Sequence, residues 1–297
     1  MKKITDILKT GRILVSDGAW GTFLHKKGLQ SGECPESWNL THPELVEDIP
    51  HQYIQAGADM VLTNSFGANP FKLQHYNLSD KVYEINKAAA AISRRAAGKD
   101  YFVLGSIGPT GVILMMGDVT EQELYEGFKI QAQGLYDGGV DAVCIETMSA
   151  LDEAEQAIRA VKENTDLEIV CTFTFERTIN GDYRTMMGVS PRQMLEMTQK
   201  LGVDIIGTNC GNGMSRMVEI VRELRTANRD IPILVHANAG KPLLQDGKTV
   251  FPETPQEMAA LVPQLIQAGA NIIGGCCGTG PEHIQQLKLA VKQYKKV

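Results

Sequence analysis

Four times along the chain a helix-like stretch stops at glycine and a short apolar run follows, closing on a polar or thiol residue. Gln55-Ala56-Gly57-Ala58-Asp59 leads into 60–64, and Gly138-Gly139-Val140-Asp141 into 142–146. Leu201-Gly202-Val203-Asp204 leads into 205–210, and Gln267-Ala268-Gly269-Ala270-Asn271 into 272–276. Glycine suits the position just past a helix because it adopts the left-handed backbone that ends one. Short β-branched runs between turn residues read as strands buried on both faces. Four more such runs, 13–17, 101–106, 168–173 and 231–236, alternate with the first four. Helix-period segments follow each of the eight, near 44–56, 82–97, 121–137, 151–163, 191–200, 214–227, 255–267 and 281–293. Several have clear starts: Thr120 stands three residues before Glu123, Pro191 follows Ser190, and Pro281 follows Gly280. Buried strands alternating with helices predict a parallel sheet. Eight uniform βα units predict an α/β fold closed as a (β/α)8 TIM barrel, one domain over 1–297, in preference to an open doubly wound sheet.

Composition narrows the class. The chain has 297 residues, 43% hydrophobic and 22% charged, as for an ordinary globular protein, with a net charge of −6. That balance argues against nucleic acid or an anionic membrane as the partner. The basic start of the chain is broken by Asp6, Lys9 and Arg12, so it does not read as a signal peptide. No apolar run approaches the ~18 residues of a membrane span. A cytoplasmic location is expected, where six cysteines are buried, catalytic or metal-bound rather than paired.

In such a barrel the functional face is the C-terminal end of the strands. The residues predicted there are Asp17, Asn64, Ser106, Glu146, Thr172, Asn209 with Cys210, Asn238, and Cys276 with Cys277. Adjacent thiols point to opposite faces of an extended strand, so the chain must leave the strand at Cys276-Cys277, where glycines permit a bend. Cys210, Cys276 and Cys277 then share one rim. Three thiolates suit Zn²⁺ and leave its fourth position open. A free thiol of pKa ~8.5 is scarcely ionised at neutral pH, and coordination deprotonates it. Two other readings stay open: a redox-active pair at Cys276-Cys277, and a structural zinc that borrows a histidine such as His236. Cys34, Cys144 and Cys171 read as small buried hydrophobes.

Asp17 and Glu146 end strands one and four. Read as residues, they either grip a substrate ammonium or cap helices. Met115-Met116 and Met186-Met187 either line an adaptable pocket mouth or, as such pairs more often do, fill gaps in packing; the second is expected, and His236 is expected to be a satisfied core histidine. Gly211-Asn212-Gly213-Met214 opens a helix that can hold an anion. Trp38 and His42 lie in an early segment with no assigned role.

Asp17-Gly18-Ala19-Trp20-Gly21-Thr22, Thr208-Asn209-Cys210 and Gly274-Gly275-Cys276-Cys277-Gly278-Thr279 together resemble the zinc-dependent homocysteine S-methyltransferases, including the homocysteine module of cobalamin-dependent methionine synthase. Gly105-Ser106-Ile107-Gly108-Pro109 and Asn238-Ala239-Gly240 are similar to further segments of that family. The resemblance spans nearly the whole chain. It implies a (β/α)8 fold, zinc on Cys210, Cys276 and Cys277, and Asp17 and Glu146 on the homocysteine amino group. Ser106 and its neighbours, with Asn209, are implied at the rest of the amino acid.

The implied reaction is attack of a zinc-activated homocysteine thiolate on a donor methyl carbon, giving methionine. The resemblance leaves the donor open. Corrinoid-linked relatives have further modules after this barrel and betaine-using relatives a C-terminal extension, whereas this sequence stops just past the eighth helix. The expected donor is a methyl-corrinoid protein acting in trans, with S-methylmethionine, S-adenosylmethionine or a different thiol or selenol acceptor as alternatives. A zinc-binding or thiol redox barrel without this activity is the alternative of another class.

Overall fold

The computed structural model describes residues 3–245 and 248–294; the remainder of the expected 1–297 domain lies outside the described residues. Eight strands form one parallel sheet: β1 (Leu14–Val15), β2 (Met60–Leu62), β3 (Phe102–Ile107), β4 (Ala142–Met148), β5 (Glu168–Phe173), β6 (Ile205–Asn209), β7 (Ile233–Ala237) and β8 (Ile272–Gly275). From β2 to β8 each strand pairs with its neighbours in chain order, and β8 returns to pair with β1, Leu14 opposite Ile272. The sheet therefore curls into the expected barrel.

Its one seam without ladder pairing, between β1 and β2, is closed by carboxylates. Asp59 Oδ2 accepts the Val15 N–H at 2.9 Å while the Asp59 N–H donates to Val15 O at 2.7 Å. Asp17 Oδ2 accepts the Leu62 N–H at 2.8 Å.

Successive strand residues point to opposite faces. Leu14, Met60, Leu104, Val170, Ile205, Leu234 and Ile272 fill the barrel interior. Val15, Val61, Val103, Val143, Ile206 and Ile273 face outward under the helices. Gly207 in β6 has no room for a side chain, since a Cβ would come within 2.0 Å of Leu234 O on β7.

A short helix, Ile4–Leu8, was not foreseen and stops the N-terminal end of the barrel. Ile4 and Leu8 join the interior cluster. The Ile4 N–H donates to the buried Glu168 carboxylate at 2.5 Å and the Thr5 N–H at 3.2 Å, which pins the stopper to the start of β5.

The outer helices are Pro43–Gln55, Val82–Ala97, Glu121–Asp137, Leu151–Asn164, Pro191–Leu201, Met214–Ala227, the pair Pro255–Ala260 and Val262–Ala268, and Pro281–Gln293. They agree with the periodic segments except that the seventh is broken at Leu261. Pro263 has no N–H to continue the ladder there. Thr120 with Glu123 makes the reciprocal cap its spacing suggests, and Ser190 makes a second one with Gln193. Among the described residues no helix is long and apolar enough to cross a membrane.

Candidate metal centre and substrate cavity

The three rim thiols come together. Cys210 Sγ lies 3.8 Å from Cys277 Sγ, and the sulfurs of Cys210, Cys276 and Cys277 are all within 4.8 Å of one another. Strand β8 ends at Gly275, so the cysteine pair turns out of the sheet as the alternation of side chains requires. The extension of β7 carries both arms. The Cys210 N–H donates to His236 O at 3.0 Å, the Cys276 N–H to Ala237 O at 2.7 Å, and the Ala239 N–H to Cys277 O at 3.0 Å. Cys210 itself has φ +60°, a backbone that costs an L-residue about 1–2 kcal/mol. Thr279 accepts the Ala19 N–H and donates to Cys276 O, tying the β1 and β8 loops together.

Hydrogen bonds from Cys276 and Cys277 pull the Cys210 thiol well below the ordinary thiol range. The same interactions with Cys210 push Cys276 and Cys277 up. Asn238 is buried, helps to hold the Cys210 thiol down, and leaves its Oδ1 without a partner among the described residues.

The sulfurs open onto a cavity of about 270 Å³ whose wall includes Asp17, Ser106, Glu146 and Trp20. Asp17 is buried and accepts hydrogen bonds from the Leu62 N–H and from Trp20 Nε1–H at 2.9 Å. Ser106 Oγ donates to Glu146 Oε1. Neither acid caps a helix. Burial raises Asp17 to about 7 and Glu146 to about 7, the charge of Asp17 adding to the second effect. A cation placed between two such acids would favour the ionised form of both.

Asn209 does not line this cavity; it is fully buried behind it. Its Oδ1 accepts the Thr147 N–H at 2.8 Å and the Thr172 hydroxyl at 2.7 Å, and its Nδ2 donates to Thr147 Oγ1 at 2.7 Å. Thr147, unremarked in the sequence, stands in the left-handed region at φ +64°. The signal for it was only its place after Glu146. Trp20 lay inside a quoted motif, but its bond to Asp17 has no sequence signature.

Other expectations fall out as follows. Cys144 and Cys171 are buried in strands β4 and β5, and Cys34 is buried with its thiol 3.4 Å from Glu36 Oε2. His236 is buried but not satisfied: Nε2 lacks a partner among the described residues, and desolvation pushes the imidazole down to about 4. The helix opened by Met214 receives the carboxylate of Glu253 on its Met214 N–H. Trp38 is buried against His42, ring centroids 4.6 Å apart. The methionine pairs do not fill packing gaps. Met115, Met116 and Met186 are 86%, 71% and 89% exposed, because their loops extend past the last layer of the core.

Fold and site together define a parallel eight-stranded barrel with a thiol triad and two buried acids on its C-terminal rim. The chain matches the homocysteine S-methyltransferase family over residues 14–291, and it belongs to that family of methyltransferase enzymes. It is 35% identical over 309 aligned residues to a methionine synthase of Mycobacterium leprae, covering 97% of this chain and 25% of that protein. A methionine synthase of Mycobacterium tuberculosis is 33% identical, with 98% and 26% covered. The chain thus spans about a quarter of the length of these relatives. The fold is similar to that of the Escherichia coli homocysteine methyltransferase MmuM in its metallated form, with TM-score 0.77, 22% identity and 96% and 98% of the two chains covered. A methyltransferase from Methanosarcina mazei superposes with TM-score 0.61 at 13% identity, covering 95% and 94%.

Proposed function

We propose that this chain acts as one homocysteine-binding domain over 1–297, holds one zinc ion on Cys210, Cys276 and Cys277, and methylates homocysteine to methionine. The observation that carries the reading is the sulfur triad facing a cavity with two buried carboxylates. The donor set fits the ion: sulfurs about 2.3 Å from a tetrahedral zinc stand about 3.8 Å apart, the separation of Cys210 and Cys277. Zinc bound there would supply the Lewis acidity that keeps a thiol ionised at neutral pH.

The chain's own residues do the rest. Asp17 and Glu146 take the ammonium group, and Ser106 aims the Glu146 carboxylate. Asn209 serves the substrate indirectly, by fixing Thr147 beside Glu146. Holding the acceptor at both ends fixes its sulfur for in-line attack and supplies acceleration through orientation. A methyl-corrinoid protein in trans, S-methylmethionine and S-adenosylmethionine are the donors to compare. A reducing cytoplasm is the setting in which such free thiols persist.

The test is metal content and methionine formation together. The expected result is one zinc per chain and homocysteine-dependent turnover, both lost in Cys276→Ala. Zinc without turnover from any donor would identify a binding barrel, and a fully active Cys276→Ala protein would end the proposal.

A further inference from the structure

A second cavity, of about 680 Å³, lies further out on the same rim among the loops that follow β3, β4 and β5. The inner one has about 270 Å³. One residue lines both, Thr147. A β-branched residue at φ +64° is a genuine outlier and persists only where its surroundings impose it. Here the Asn209 amide imposes it, bonding both the N–H and the hydroxyl of Thr147.

The lining of the outer cavity includes Met115, Met186 and Met187 together with Glu176, Arg177 and Arg184. The three thioethers are exposed and so are free to meet a ligand. Thioether side chains are polarisable and adapt to a partner's shape. The volume falls in the ~300–1,000 Å³ range of small-molecule sites. The inner cavity is committed to the amino acid by its buried acids, which leaves the outer one for the second reactant.

We propose that the outer cavity is the methyl-donor site and that Thr147 is the sill between donor and acceptor. This rests on the homocysteine reading above. The ligand class is a donor whose methyl group sits on a soft leaving atom, a sulfonium sulfur or an alkylated cobalt, and whose body exceeds the acceptor in size. The homocysteine sulfur lone pair forms the new C–S bond. The bond from the methyl carbon to the leaving atom breaks, and its electron pair stays on that atom. Sulfonium becomes a neutral thioether, or cobalt gains two electrons. The thiol proton leaves to solvent when the acceptor binds, and no oxidant or reductant is consumed.

The experiment uses zinc-loaded protein with isotopically labelled methionine methyl groups, assigned by single Met→Leu variants. S-methylmethionine, S-adenosylmethionine and methylcobalamin are added separately. At least one is expected to shift the Met115, Met186 and Met187 signals, whereas homocysteine alone leaves them in place. The Met115→Ala/Met186→Ala protein should raise the KM of that donor at least tenfold while homocysteine Kd changes less than twofold. The inference is overturned if none of the three donors moves these signals, if homocysteine moves them, or if donor and homocysteine compete. Failure of the underlying reading looks different: homocysteine then does not bind the zinc protein at all.

Discussion

Asp17 accepts the backbone N–H of Leu62 at 2.8 Å across the one seam of the barrel that has no ladder pairing. The same carboxylate faces the cavity, so it both closes the scaffold and dresses the site. These two duties separate by substitution. Asp17→Ala leaves the Leu62 N–H and Trp20 Nε1–H unpaired, at about 1–3 kcal/mol each. Its melting temperature should drop by several degrees. Asp17→Asn keeps an acceptor for both donors and should melt within a few degrees of the parent, yet bind homocysteine at least tenfold more weakly. Equal homocysteine affinity in the Asn variant would remove Asp17 from the ammonium site.

Cys210 offers a test in which stability and metal binding part company. Its backbone is already in a conformation that glycine adopts freely. Cys210→Gly should therefore unfold no more easily than the parent, and its circular dichroism should be unchanged. Its zinc content, measured by elemental analysis after gel filtration, should fall from one per chain to near zero. Retained zinc would mean the metal is held elsewhere.

The buried acids set the pH response. Burial lifts Asp17 and Glu146 to about 7, above the unfolded carboxylate range. Between pH ~4 and ~7 the folded chain keeps protons that the unfolded chain has released, so this contribution to stability is largest at low pH and fades as pH rises. Ammonium binding runs the other way, because it needs the ionised acids. Homocysteine affinity should rise from pH 5.5 to 7.5, by up to about tenfold per unit for each acid below its pKa. Calorimetric titration at constant zinc content measures it. Glu146→Gln should flatten both curves; unchanged slopes would clear Glu146 of the role.

Asn209→Leu should disturb catalysis without touching the cavity wall. It strips Thr147 of both bonds and leaves the Thr172 hydroxyl without its acceptor. The expected cost is about 2–4 kcal/mol of stability. A fall in kcat of more than tenfold with zinc content intact is also expected. Steady-state kinetics beside metal analysis separates this from a folding defect. An Asn209→Leu enzyme with parental kcat would show that Thr147 needs no clamp.

The barrel was legible because its grammar is local. Glycine stops such as Gly202 and Gly269, both at positive φ, announce where each helix gives way to a strand. The thiols were legible because Cys276-Cys277 is incompatible with an extended strand. What the sequence concealed depends on partners far along the chain. Glu168 holds the N-terminal stopper across 164 residues, and Asn209 reaches Thr147 across 62. Asn209 was expected at the substrate because its position on the rim is readable, whereas the direction of its amide is not. Met115 and Met186 misled for the opposite reason. Methionine usually fills cores, and only the reach of their loops shows that here they do not.

The stopper Ile4–Leu8 has a corollary for access. With that end of the barrel closed by the helix, the cavity beside the thiols opens at the opposite end. Under the proposed reading, both reactants would then reach the thiols from that same end.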